Sequence, residues 1–347
     1  MSVIVTRRAA ATGLAAFGAA AVLPRDARAD MDTLERAARS EGTLTWYIAQ
    51  VDAEKAETLG HTFTKEHPGI SVAVIRTTGQ VAYQRLLMDI KNHTPQCDVF
   101  STTDISHMPV LKERHELAEF KPENAPGLMP DFAALSDPGY YYVNNASRYF
   151  LIYNTAKVQP KDAPKSWTDL LDPKWKGQVA MGHPAFSGCT GVWALSLRKL
   201  YGWEFFEKLA KNNPRIGRSA ADPITLLTAG ECLVAPGSAN GAYPAAEKGN
   251  PIGINHPTDG LVLCVTPSAI PANAPHPNAG RLFMEWLLSE GYSRLIASDG
   301  SEPIRVGVPP RADEPPLAEQ KVIHVSVEEI RKGVPEVIEQ WRDTFGS

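Results

Sequence analysis

Apolar positions along this chain follow two spacings in turn. Thr43 to Ile48 is a short β-branched and aromatic run, which reads as a strand. Asp52 follows as a helix N-cap, and Ala56, Leu59 and Phe63 fall on one helical face until Pro68-Gly69 stops it. The unit then repeats. Ser71 to Ile75 is an apolar strand, Thr77-Thr78-Gly79 a turn, and Leu86, Leu87 and Ile90 stripe a helix. Asp98-Val99-Phe100 is a third strand, followed by Ser101-Thr102-Thr103-Asp104 and another helix. Strands alternating with helices predict an α/β fold with a parallel sheet covered on both faces. Ligands of such sheets sit beyond the carboxyl ends of the strands. The loops there, Ala49-Gln50-Val51, Thr77-Thr78-Gly79-Gln80 and Ser101-Thr102-Thr103, are polar but nearly uncharged. That suits hydrogen-bonded capture of a solute better than acid–base chemistry.

The pattern changes after the turn Asp137-Pro138-Gly139. Tyr140 to Tyr153 is one long aromatic and β-branched run with Asn144-Asn145 inside it, and its length marks a crossing between domains. A second unit follows: a helix at Trp167 to Leu171, a strand at Gln178 to Met181, and a helix ending at Gly202. Ile216 to Ser219 reads as a strand, Pro223 to Ala229 as a helix, and Cys232 to Ala235 as a strand whose loop is Pro236 to Gly241. Gly260 to Thr266 is apolar and reads as the return crossing. Phe283 to Leu295 is a helix, Pro309 to Pro316 a connector, and Val327 to Phe345 a terminal amphipathic helix. Two crossings between two α/β units describe a hinged, two-lobed protein with its ligand in the interlobe cleft. The expected division is 30–143 with 264–320 as the first lobe, 144–263 as the second, and 321–347 as a C-terminal helix on the second lobe.

The N-terminal end changes the compartment. Arg7-Arg8 precedes an uncharged run, Ala9 to Leu23, and then Ala27-Arg28-Ala29, the order of an export signal cleaved before Asp30. The apolar run is shorter than the ~20 residues a membrane span needs. The arginine pair fits a twin-arginine signal, although Ala10 and Ala11 stand where a bulky apolar pair is usual, so the general secretory route stays open. The segment takes four of the 35 Lys and Arg and one of the 39 Asp and Glu, leaving the exported chain with a net charge near −7. No nucleic-acid partner is expected of such a chain. Cys97, Cys189, Cys232 and Cys264 show no CxxC spacing. One disulfide is compatible with an oxidising compartment, but buried free thiols are the simpler expectation. The nine histidines lack HxxxH or HExxH spacing, so neither a zinc site nor another cofactor is expected. No GxSxG elbow, P-loop or GxGxxG motif follows a strand, which disfavours an enzyme.

One junction concentrates small and hydroxyl residues. Residues 182–191, GHPAFSGCTG, join an apolar strand to a helical run. Around it, Tyr153-Asn154-Thr155, the run Pro164 to Gly177, Gly230-Glu231 and Pro277-Asn278-Ala279-Gly280 with Phe283 resemble periplasmic solute-binding proteins of ABC importers, in the ferric-ion-binding branch. The resemblance implies a type II two-lobed fold, a periplasmic monomer and a membrane permease as partner. Iron binders of that branch use a His after the first strand, a Glu after the second and a Tyr pair after the Gly-Glu strand. Here Val51, Gly79 and Asn240-Gly241 occupy those places, and Val and Gly offer no ligand to a hard cation. The same proteins hold a partner anion at a Ser-Gly pair opening a helix, helped by a Gln after the second strand. Ser187-Gly188 and Gln80 match those features.

The expected ligand is therefore a small organic anion, such as a phosphonate, phosphate ester or carboxylate, held at a helix N-terminus. The candidate ligand-binding residues are Ala49, Gln50, Thr78, Gln80, Thr102, Ser187, Gly188, Cys189, Thr190, Ser238, Asn240 and Tyr243. Arg76 and Arg148 are candidates to pair with the anion, or else form structural ion pairs. Ferric-iron import, a periplasmic enzyme, and a ligand-sensing partner of a membrane kinase are the alternatives.

Overall fold

The computed structural model describes residues 25–347. The signal residues before Arg25 lie outside the described residues. The proposed cleavage site falls within the first helix, α1 (Arg25–Glu41). Three strand–helix units follow: β1 (Thr43–Ile48) with α2 (Ala53–Glu66), β2 (Ser71–Arg76) with α3 (Gly79–Lys91), and β3 (Val99–Ser101) with α4 (His107–Glu113). Asp52 caps α2 as expected, its Oδ1 accepting from the Lys55 N–H at 2.8 Å. Ala56, Leu59 and Phe63 are buried. β2 and β3 flank β1, both parallel to it. β2 is the edge strand and only half-buried, so its continuous apolar run does not mean burial on both faces.

After α5 (Pro130–Ala134), the crossing run is a single fourteen-residue strand, β4 (Tyr141–Asn154), buried throughout. The second lobe is built on its C-terminal half. It contains β5 (Ala180–Met181), α6 (Gly188–Tyr201), α7 (Glu204–Ala210), β6 (Arg215–Ile216), α8 (Asp222–Thr228), β7 (Val234–Ser238), α9 (Ala239–Glu247) and β8 (Ile252–Asn255). β7 and β8 flank β4 on opposite sides, both antiparallel. The expected loop at Pro236 to Gly241 is instead the end of β7 and the first turn of α9. Pro236 is tolerated because β7 ends the strand order. Gly237 gives Ile152 room, since a Cβ there would stand 2.5 Å from the isoleucine Cδ1.

The chain returns along β9 (Leu261–Ala269), which lies between β3 and β4, antiparallel to both. The large sheet is thus mixed rather than parallel. α10 (Pro277–Leu287) and α11 (Glu290–Ala297) replace the single helix expected over 283–295. Ser289 breaks it, its Oγ accepting from the Tyr292 N–H at 3.1 Å. A short strand, β10 (Val322–Ile323), joins β9 in parallel. The last helix, α12 (Val327–Phe345), opens with a Ser326–Glu329 capping box. It lies on α6 and α7: Trp341 packs against Phe206 with tilted rings, and the Trp203 indole N–H donates to Thr344 Oγ1 at 2.9 Å.

Cys189, in the first turn of α6, is joined to Cys264 of β9 by a disulfide closing a 75-residue separation, while Cys97 and Cys232 are free and buried. The expectation of free thiols therefore holds for only two of the four. Sequence spacing carried no sign that the return strand passes the start of α6. Cross-linking a loop of this length removes about 4 kcal/mol of unfolded-chain entropy. Reduction of the folded protein should lower its Tm by about 10 °C, read by scanning calorimetry with and without a dithiol. An unchanged Tm would mean the cross-link adds no stability.

Candidate functional site

The carboxyl ends of β1, β2 and β3, the middle of β4 and β9, and the starts of α6, α8 and α9 surround one cavity of about 290 Å³. From the first lobe it is lined by Ala49, Gln50, Val51, Arg76, Thr78 and Thr103, and from the second by Ser187, Cys189, Ser219, Ser238 and Asn240. Asn145, Ser147, Cys264 and Thr266 of the crossing strands form its floor. The pairing of β4 with β9 slips between Val143 and Asn145. Such a bulge re-aims the side chains beside it. Asn144 accepts from the Ser268 hydroxyl at 2.9 Å, and Asn145 lines the cavity.

Three helix N-termini meet here. Thr78, Ser187 and Ser238 are the N-caps of α3, α6 and α9. Ser187 Oγ accepts from the Thr190 N–H at 3.3 Å, which leaves its own proton free to donate. Thr78 and Ser238 make no side-chain cap bond, and Thr78 Oγ1 is buried without a partner. Unpaired backbone N–H groups at such termini carry a partial positive charge.

Arg76 ends β2, half-buried, with its Nε donating to the Val51 carbonyl at 2.8 Å. Burial lowers the guanidinium below its ordinary value, while Asp52 and Asp222 draw it back up. Burial pushes Asp222 up, but the Ser219 and Arg218 N–H groups, the Ser219 hydroxyl and Arg76 together hold it below the usual carboxylate range. Asp222 is therefore ionised and committed to the turn before α8.

The lobes touch directly. Asn240 Nδ2 donates to the Gln50 carbonyl at 2.9 Å, and the Ser147 hydroxyl donates to Asn240 Oδ1 at 3.2 Å. A Cβ on Gly188 would stand 2.3 Å from the Thr103 carbonyl oxygen. Gly188 thus admits the backbone of the other lobe, not a ligand.

Of the sequence candidates, Ala49, Gln50, Thr78, Ser187, Cys189, Ser238, Asn240 and Arg76 line the cavity, and six others do not. Arg148 is fully buried in ion pairs with Glu302 and Glu314, donates to the Pro315 carbonyl, and does not line the cavity. Tyr243 faces away, packed under the Arg311 guanidinium 4.5 Å from its ring, because it sits in α9 rather than a loop. Gln80 reaches Asp104 at 3.4 Å. Thr102 Oγ1 is paired with His107 Nδ1 at 3.0 Å. Thr190 is buried beside Gly182, and Gly188 is covered by Thr103. Sequence reading missed Asn145, Ser147, Thr103 and Ser219. The Asn144-Asn145 pair inside an apolar strand, and the place of Thr103 in the polar loop after the third strand, were available signals.

Among the described residues, no group of three or more His, Cys, Asp or Glu is placed to hold a metal. No helix among them is long and apolar enough to cross a membrane.

Two α/β lobes, two crossing strands and a polar cavity between them define a periplasmic-type binding-protein fold. The model of the bacterial extracellular solute-binding protein family matches residues 95–333, and the chain belongs to that family. A Salmonella typhimurium protein named "Putative 2-aminoethylphosphonate-binding periplasmic protein" is 28% identical over 293 residues, covering 78% of this chain and 77% of that one. Two solved structures share the fold. One is the periplasmic binding protein AfuA from Actinobacillus pleuropneumoniae with bound fructose-6-phosphate, with TM-score 0.78, 20% identity, and 88% and 99% of the two chains covered. The other is iron-bound HitA from Pseudomonas aeruginosa, with TM-score 0.73, 23% identity, and 87% and 99% covered.

Arg148→Met should test the structural role of that arginine. It strands two buried carboxylates and should cost about 3–5 kcal/mol near neutral pH, with ligand contacts untouched. Burial raises both Glu302 and Glu314, with Arg148 as the opposing influence. A carboxyl raised in the folded state binds its proton more tightly there, so acidification favours folding and stability is lost as pH rises through the raised value. Part of the loss should therefore be regained at about pH 5, measured by urea unfolding at both pH values. A loss independent of pH would contradict this.

Proposed function

We propose that this exported protein captures a small organic anion, of the phosphonate, phosphate-ester or carboxylate class, in the interlobe cleft and delivers it to an ABC importer. The observation that supports it best is one cavity holding Arg76, the N-termini of α3, α6 and α9, and the unpartnered Thr78 hydroxyl. Asp52 and Asp222 lie beside Arg76, so net charge does not supply the attraction. Directed N–H and O–H donors do, with Arg76 as the cation at the first lobe's strand ends; Lys248, which also lines the cavity, is paired with Glu54 at 2.7 Å. The Salmonella relative's name and the sugar phosphate in AfuA favour the same ligand class. In this reading the protein is a monomer, performs no catalysis, binds no resident cofactor and meets a permease in the inner membrane. The places where iron binders of the resembling branch carry His, Glu and Tyr hold Val51, Gly79 and Asn240-Gly241 here, and that disfavours ferric iron.

A thermal-shift screen of ligand-stripped protein tests it, with 2-aminoethylphosphonate, glycerol phosphate, small carboxylates, putrescine and ferric citrate. One anion class should raise Tm, by roughly 4 kcal/mol of added stability at ~1,000 times its Kd. Arg76→Gln should weaken that anion about 10- to 100-fold, the worth of one charged hydrogen bond. A shift with putrescine or ferric citrate alone would overturn the proposal.

A further inference from the structure

The disulfide sits at the ligand cavity. Cys189 and Cys264 both line it, 9% and 2% exposed. Cys189 follows the Ser187-Gly188 pair that opens α6. Cys264 is the register partner of Ser147, whose hydroxyl holds Asn240 across the hinge. The same turn of α6 presses Gly188 onto the Thr103 carbonyl of the first lobe. One covalent bond therefore ties the N–H donors at the start of α6 to the crossing strand around which the lobes move. Helix ends fray first, and the side-chain cap at this end is one long bond, Ser187 Oγ accepting from the Thr190 N–H at 3.3 Å.

We propose that the Cys189–Cys264 disulfide is a positioning element that holds the start of α6 in its anion-binding geometry, so that ligand affinity depends on the redox state of this bond. The inference rests on the anion reading of the cleft. The reductant is a dithiol. Its thiolate attacks one sulfur, the S–S bond breaks, and the second thiol of the reductant displaces the mixed disulfide. Two electrons and two protons pass to Cys189 and Cys264, and the dithiol ends as a disulfide. Because both cysteines line the cleft, a bound anion also shields the disulfide, and binding should slow reduction.

The experiment compares oxidised protein, dithiol-reduced protein and the Cys189→Ser/Cys264→Ser variant, each confirmed folded by circular dichroism at the working temperature. Amide hydrogen exchange at residues 188–191 is read without ligand, and 2-aminoethylphosphonate affinity by calorimetry. Both reduced and variant proteins should exchange at least tenfold faster there and bind at least tenfold more weakly. Saturating 2-aminoethylphosphonate should slow reduction of the oxidised form by a similar factor. Unchanged exchange with unchanged affinity would overturn the proposal while leaving the anion reading intact. Faster exchange with no anion bound in any form would overturn the anion reading and the redox-dependent affinity with it, leaving only the structural tie. Should the variant fail to fold, reduced wild-type protein supplies the same two readouts.

Discussion

Everything in this molecule hangs on the antiparallel pair formed by β4 and β9. Their register runs from Tyr141 opposite Ala269 to Tyr149 opposite Val262. One end of the pair completes the first lobe's sheet through β3, and the other carries β7 and β8 of the second lobe. A ladder that belongs to both lobes is the kind of connection about which hinge closure turns in two-lobed proteins. The slip at Asn144 and the polar residues that follow put hydrogen-bonding groups on a stretch of buried strand that faces the cavity.

That constraint explains how the charged residues are used. Arg148 lies on the crossing strand, where it anchors the connector after α11 through Glu302 and Glu314. Such a buried cluster fixes geometry more than it adds stability. Arg76 lies at a strand end, with its Nε committed to the Val51 carbonyl and the rest of the guanidinium toward the cavity. The two arginine candidates thus differ in placement: Arg148 is held in buried ion pairs away from the cavity, while Arg76 lines it with Asp52 and Asp222 nearby. The formal charges nearest the cavity, Arg76 with Asp52 and Asp222, largely offset one another, which leaves oriented N–H and O–H groups as the main polar feature of its lining.

The architecture was legible because it rests on local signals. Strand–helix alternation, the Asp52 cap, the over-long run at 140–153 and the apolar return at 260–266 all read correctly. The errors came where a strong local signal is overruled by packing. Pro236-Gly237 look like a loop, but an edge position and the bulk of Ile152 make them strand, which moved Tyr243 into a helix and away from the cleft. Ser71 to Ile75 looks fully buried but forms a sheet edge. At the site, Thr78 and Ser187 stand at turns before helices that the sequence showed, whereas Ser238, read as a loop residue, is the N-cap of α9. Gly188 was expected to meet the ligand, but what approaches it is the Thr103 backbone. The disulfide and the Arg148 cluster join positions far apart in sequence, and no local pattern records such pairs.

The most direct measurement is a crystal structure of the exported chain with the anion that gives the largest thermal shift. The account predicts the anionic group between the Arg76 guanidinium and the first turn of α6, within hydrogen-bonding distance of Ser187 and Thr78. An anion bound outside this cavity, or a metal ion ligated in it by protein side chains, would contradict the account.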